Sequence, residues 1–179
     1  GDPYDLGDAV LPDPQMRLMR WNFSTNTNEL VTSNDNWETN ANAADITSTS
    51  AAVFAFPFEY GDEAALLVDL DPGQYTVVTD DVAGDSGIAI VELYDADDAD
   101  TTTRLINISN RGVAAPGANV MIPGFVISQE GSKTLLIRAV GPTLGAPPFN
   151  VPGTLADPML TIYEGQTPVL TQNDWADSP

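Results

Sequence analysis

Leu155-Ala156-Asp157-Pro158-Met159-Leu160-Thr161-Ile162 follows the plan of Leu11-Pro12-Asp13-Pro14-Gln15-Met16-Arg17-Leu18, at an offset of 144 residues (Leu11 to Leu155). Further along, Leu170-Thr171-Gln172-Asn173-Asp174-Trp175 echoes Val31-Thr32-Ser33-Asn34-Asp35-Asn36-Trp37. The offset there falls to 139 (Asn34 to Asn173), so the connecting loop is shorter in the second copy. In the first copy Met16 and Leu18 alternate with Gln15 and Arg17, and a period of two puts one face of a strand inward. A turn and a second short apolar run follow, so each copy reads as a β-hairpin. The chain begins and ends with two versions of one piece of structure.

Working outward, the rest of the chain repeats this style. Residues 30–33, 74–79, 88–94, 104–110, 120–128 and 134–140 read as strands, separated by turns rich in Gly, Pro, Asn and Asp. Asp71-Pro72-Gly73 reads as a tight turn, with proline presetting its own φ and glycine supplying a positive one. Residues 120–128 and 134–140 are the most continuously apolar and read as central strands. Pro123-Gly124 inside the first of them implies a bulge or bend. Residues 64–70 form a further apolar run, and residues 52–58 a strand or loop packing on the core. Residues 40–50 are the one helical candidate, favoured by alanine and weakened by Asn, Thr and Ser. The fold class expected is all-β: an antiparallel β-sandwich, Ig-like or jelly-roll-like, in two β halves with at most one short helix. The expected organisation is an N-terminal arm (1–10), a first half (11–97), an acidic linker (98–103) and a second half (104–179). The second half ends in the repeat of the 11–37 hairpin.

Composition removes several functions. The chain has 179 residues, a net charge of −20, 6 basic against 26 acidic side chains, no histidine and no cysteine. Nucleic-acid binding needs a basic stripe, and anionic membranes repel such a surface. Without histidine or cysteine there is no Ser-His-Asp or Cys-His arrangement and no ordinary zinc site. No apolar run approaches the ~18 residues of a membrane span. An aspartate dyad is compatible with the composition, but no pair of carboxylates is singled out, so no catalytic residue is assigned and the chain is read as a non-enzyme. Abundant Asn, Thr and Ser with a single lysine suggest an extracellular or cell-surface location.

Four candidate features remain. Asp95, Asp97, Asp98 and Asp100 gather oxygen ligands of the kind calcium takes, but lack the glycine and distant glutamate of an EF-hand, so a solvated linker is the competing reading. No other cofactor is expected. Asn22 and Asn107 stand in Asn-x-Ser/Thr acceptor sites for glycan, which chance also produces in an Asn-rich chain. Trp37 and Trp175 follow the same Asn-Asp turn, either as sugar-stacking platforms or as residues that close the end of a sandwich.

The motifs 104–112 (Arg-Leu-Ile-Asn-Ile-Ser-Asn-Arg-Gly), 119–128, 136–144, Leu155-Ala156-Asp157-Pro158 and Asn173-Asp174-Trp175 resemble repeat modules of large secreted bacterial surface proteins. In such modules the order continues into segments similar to Asn34-Asp35-Asn36-Trp37, residues 64–68, Pro72-Gly73-Gln74-Tyr75 and residues 91–95. The Asp-Pro strand and Pro-Gly-x-Tyr hairpin are also similar to pre-peptidase C-terminal (PPC-like) β-sandwich modules. The resemblance implies a fold and a location, not a reaction, and relative to the module order this chain is permuted.

The function expected from the duplication is assembly, by analogy with strand-donating pilus subunits. One hairpin fills a slot at home and the other a neighbour's slot, head to tail, and a heterologous contact that does not close builds a filament. The donated strand would insert Leu160 and Ile162, with Val169 or Leu170, and Leu155 as an anchor; Leu11, Met16 and Leu18 are their first-copy counterparts. At ~1.5–3 kcal/mol per buried large apolar side chain, four of them supply roughly 6–12 kcal/mol before ordering costs. Arg17 and Arg20 correspond to Thr161 and Glu164, a charge difference that would keep each copy in its own slot. The partner is then the chain itself. The alternative is a stalk or carbohydrate-binding adhesin module of a larger secreted protein.

Overall fold

The alternating run after Asp13 does form a strand, and the rest of the first unit is built around it. A computed structural model describes residues 10–97, 103–117, 120–127 and 132–174. The chain divides into two compact units, Gly1–Asn107 and Ile108–Pro179. Every regular strand lies in an antiparallel sheet and helices are few, as an all-β class requires.

In the first unit, β1 (Pro14–Asn22) lies between β2 (Thr27–Asn34) and β3 (Tyr75–Asp81). Pro14 can open β1 because the first residue of a strand need not donate to the ladder. Leu18 sits at the centre of this sheet and is only 4% exposed. It lies opposite Thr32 on one side and Val77 on the other. Asn22 shapes the turn after β1: its Oδ1 accepts from the Ser24 and Thr25 N–H groups, and its Nδ2 donates to Glu29.

A short 3₁₀ turn (Trp37–Thr39) leads into α1 (Ala43–Ala52), where Ile46 points into the core at 4% exposure. Asp45 in the first turn of α1 complements the helix dipole. Asn42, its N-cap residue, spends its side chain elsewhere, donating to the Leu67 carbonyl.

Several sequence expectations are corrected here. Residues 64–70 are extended but form no ladder, because their polar groups are met by asparagine side chains. Ala65 N–H donates to Asn34 Oδ1, Asn40 Nδ2 donates to the Ala65 carbonyl, and Asn42 takes Leu67. Gly73 does not adopt a positive φ. Its lack of a side chain matters for space instead, since a Cβ there would lie 3.1 Å from the Tyr75 ring and 3.2 Å from Arg20 Nε. That opening lets the Arg20 guanidinium sit over the Tyr75 ring at 5.7 Å. Residues 88–94 form no strand beyond a parallel bridge between Val10 and Ile88.

In the second unit α2 (Pro142–Gly145) precedes the hairpin of β4 (Leu160–Glu164) and β5 (Thr167–Gln172). With α2 there are two helices, not one. Residues 104–110, 120–127 and 134–140, expected as strands, are assigned to none. An extended segment becomes a strand only when a second edge meets its backbone groups, and among the described residues no edge does. Apolar side chains along it are consequently in solvent, with Val126 92% and Leu136 87% exposed.

Candidate functional site

The two hairpins agree in a detail their sequences do not display. Along β1 the register with β2 shifts between Leu18 and Met19; along β4 the register with β5 shifts between Ile162 and Tyr163. These positions are separated by the same 144 residues as the Asp-Pro motifs. The residue left over by the bulge is Val31 in the first copy and Val169 in the second. A bulge at a matching place bends and twists both hairpins alike, so the duplication is one of shape as well as of motif.

The register also decides which side chains share a face. Ile162 lies opposite Leu170, and Leu160 opposite Gln172. Directly paired residues point to the same side, so Leu160, Ile162 and Leu170 form one apolar face and Val169 is not part of it. Of the two candidates read from sequence, Leu170 is the one on the donated face. It is 48% exposed, whereas Leu160 and Ile162 are half-buried. The strand pairing equates Asn34, opposite Met16, with Gln172, opposite Leu160. The motif match equates Asn34 with Asn173, one residue later. The second loop is cut to Gly165-Gln166, with Gly165 in the left-handed region at φ 59°.

The anchors behave alike too. Leu11 N–H donates to the Ile88 carbonyl at 2.9 Å, and a Cβ on Gly87 would lie 2.4 Å from Leu11 N. Leu155 crosses Gly141 in the same close manner, since a Cβ there would lie 2.0 Å from the Leu155 carbonyl oxygen. Each Leu-x-Asp-Pro entry therefore passes over a glycine that has no room for a side chain.

What differs is the other edge. β1 has β3 beside it, and β4, among the described residues, has no strand in that place. The β1–β3 seam is locked by polar groups as well as by its ladder. Arg17 Nη2 reaches Asp80 Oδ2 at 2.7 Å, and Arg20 donates to the Pro72 carbonyl. Asp81 is buried; its oxygens accept from the N–H groups of Asp13, Ala83 and Asp85. Burial pushes its carboxyl up, but the donated backbone N–H groups of Asp85, Asp13, Ala83 and Gly84 outweigh this and hold it below the usual range. Asp13, deprived of water and facing Asp81, Asp62 and Asp35, is pushed up. Sequence reasoning singled out neither residue, and their partners, 68 residues apart, carry no local signal. With both Asp81 oxygens committed to backbone donors, the pair serves as a lock between strand ends.

Other candidates are placed as follows. The Trp37 indole stacks on Phe58 at 5.3 Å and donates to the Tyr60 carbonyl at 3.1 Å, so one face is occupied in closing the fold. Trp175 lies outside the described residues, as do Asp98, Asp100 and residues 1–9. Asp95 accepts from the Asp97 N–H, an Asx-type turn, and among the described residues no cluster of three acidic side chains is placed to hold a metal ion. The Asn22 amide nitrogen, where a glycan would attach, is engaged by Glu29, whereas Asn107 is exposed. No described helix is long and apolar enough to cross a membrane.

Comparison with known proteins finds no family model, no curated protein and no solved structure that matches the chain. The module resemblance therefore rests on its motifs alone.

Proposed function

We propose that the protein is the structural subunit of an extracellular filament, polymerising head to tail by β-strand complementation, with each assembled unit completed as a β-sandwich. The observation that carries this reading is the pair of hairpins with one bulge and two different environments. One is the centre of a three-stranded sheet, and the other ends in an open edge bearing Leu160, Ile162 and Leu170 on one face. The extended apolar segments at 120–127 and 134–140 add surface of the kind that marks interaction sites. A charge of −20 keeps free subunits apart in dilute buffer, and salt or divalent cations would relieve that repulsion. The seated Trp37 argues against the adhesin alternative, which asks for an open indole face. Deleting residues 153–179 tests the proposal. Filaments seen by negative-stain microscopy with the full chain should disappear with the truncated one, and filaments that persist would refute terminal strand donation.

A further inference from the structure

Resting on that reading, we propose that the open edge of β4 in one copy adds, antiparallel, to the outer edge of β3 in a second copy, giving a continuous intermolecular sheet in the order β2-β1-β3-β4-β5. The first hairpin supplies the template. β4 is the counterpart of β1, and the edge it leaves open is the one that β1 gives to β3. β3 is itself the last strand of its sheet among the described residues, so its second edge is available without displacing anything.

Side chains choose the register. Across the first sheet Leu18 lies opposite Val77, and Met16 opposite Thr79. Leu18 is covered, while Val77, on the same face one strand out, is 38% exposed. Setting Ile162 beside Val77 and Leu160 beside Thr79 extends the row to Thr32-Leu18-Val77-Ile162-Leu170, apolar from its second member onward. A slip of one residue would turn Leu160 and Ile162 to the opposite face. Charge chooses the direction. Antiparallel pairing places Glu164 beside Tyr75, at the far end of β3 from Asp80 and Asp81. A parallel strand would bring Glu164 towards those two carboxylates, and like charges directly opposite are destabilising. Thr161 and Glu164, where β1 has Arg17 and Arg20, cannot form the contacts with Asp80 and Pro72 that hold β1. The second hairpin is thus poorly suited to β1's place and suited to the outer edge.

The chain has no cysteine, so single cysteines report the contact without background. Val77→Cys chains are mixed with Ile162→Cys chains under mild oxidation, after circular dichroism confirms that each variant keeps the parent spectrum. Directly opposed residues in antiparallel strands come within disulfide range. The expected result is a Val77–Ile162 heterodisulfide formed at least tenfold faster than with Thr161→Cys, whose side chain lies on the other face. Equal rates, no cross-link, or a predominant Val77–Val77 product that closes a dimer would each overturn the proposal. So would the double variant if, at high dilution, it cross-linked only within one chain. A chain locked by a Met16→Cys/Thr79→Cys disulfide should still assemble; if locking β1 to β3 abolishes assembly, β4 takes β1's place and edge addition is wrong. Should cross-linking fail while filaments sensitive to the 153–179 deletion persist, the edge is misassigned and the filament reading stands. Should the chain also remain monomeric, both fall.

Discussion

β1 and β4 are nearly the same strand in different company. Both follow an Asp-Pro, both carry a bulge at the same step and both enter over a glycine. Only β1 has neighbours on both edges, and only there does the sheet bury a large side chain fully enough to act as a core: Leu18 against the half-buried Ile162. The lesson is that a strand's own pattern specifies its face and its bulge, while its burial is decided by what lies across the second edge.

The comparison predicts unequal costs for equal truncations. Leu18→Ala should destabilise the first unit by about 2–5 kcal/mol, the usual range for removing a buried leucine side chain. Ile162→Ala should cost the isolated chain under ~1.5 kcal/mol while weakening assembly. Chemical denaturation of dilute protein, followed by circular dichroism, checks both, and equal losses would break the contrast.

Next in size is the glycine under each anchor. Gly87→Ala and Gly141→Ala both force a Cβ into backbone atoms that have no flexible side chain to move aside. Each should lower the melting temperature of its own unit. A variant that melts like the parent would show that the crossing is looser than the geometry requires.

The acid side of the first sheet gives a third test. Asp81 is held below its ordinary value of 3.8, so its contribution is present above that value and lost as pH falls through the lowered one. Asp13 is raised from 3.8, and Glu63, buried away from water with one oxygen unpartnered, is raised from 4.5. In their folded state these two hold protons at pH values where the unfolded chain has released them, so they oppose folding once ionised. Mild acidification from neutral should therefore stabilise the first unit, and further acidification below the ordinary aspartate range should destabilise it. Asp13→Asn should flatten the first limb and Asp81→Asn the second, as read from melting temperature against pH.

Smallest is the exchange of charge between copies. The Arg17–Asp80 pair is substantially exposed, so Arg17→Thr should cost the monomer only ~0–1 kcal/mol, and less at high salt. Its value would lie in selectivity. A chain carrying Arg17→Thr together with Thr161→Arg should let the second hairpin compete for β1's place, seen as assembly that a β1–β3 disulfide then blocks.

Both hairpins and β3 were legible from the sequence, because alternation and turn residues are local signals. The bulges were not, since a leftover valine looks like any other strand residue. Nor was the clamp on residues 63–67. There Asn34, Asn40 and Asn42 replace a neighbouring strand with side-chain amides, and nothing near Ala65 announces partners 25 and 31 residues away. Segments 104–110, 120–127 and 134–140 were misread for a different reason. Apolar, β-branched composition states a preference for a covered, paired environment, and the described chain supplies no such partner.

The central claim is that the second hairpin makes a contact that does not close. Sedimentation velocity on the full chain, across protein concentration and at low and high salt, addresses it directly. Complementation by the open edge predicts a mass distribution that keeps growing with concentration, shifts to larger species as salt screens the acidic surface, and collapses when residues 153–179 are removed. A single monomer boundary under all conditions, or a series that stops at a dimer, would contradict it.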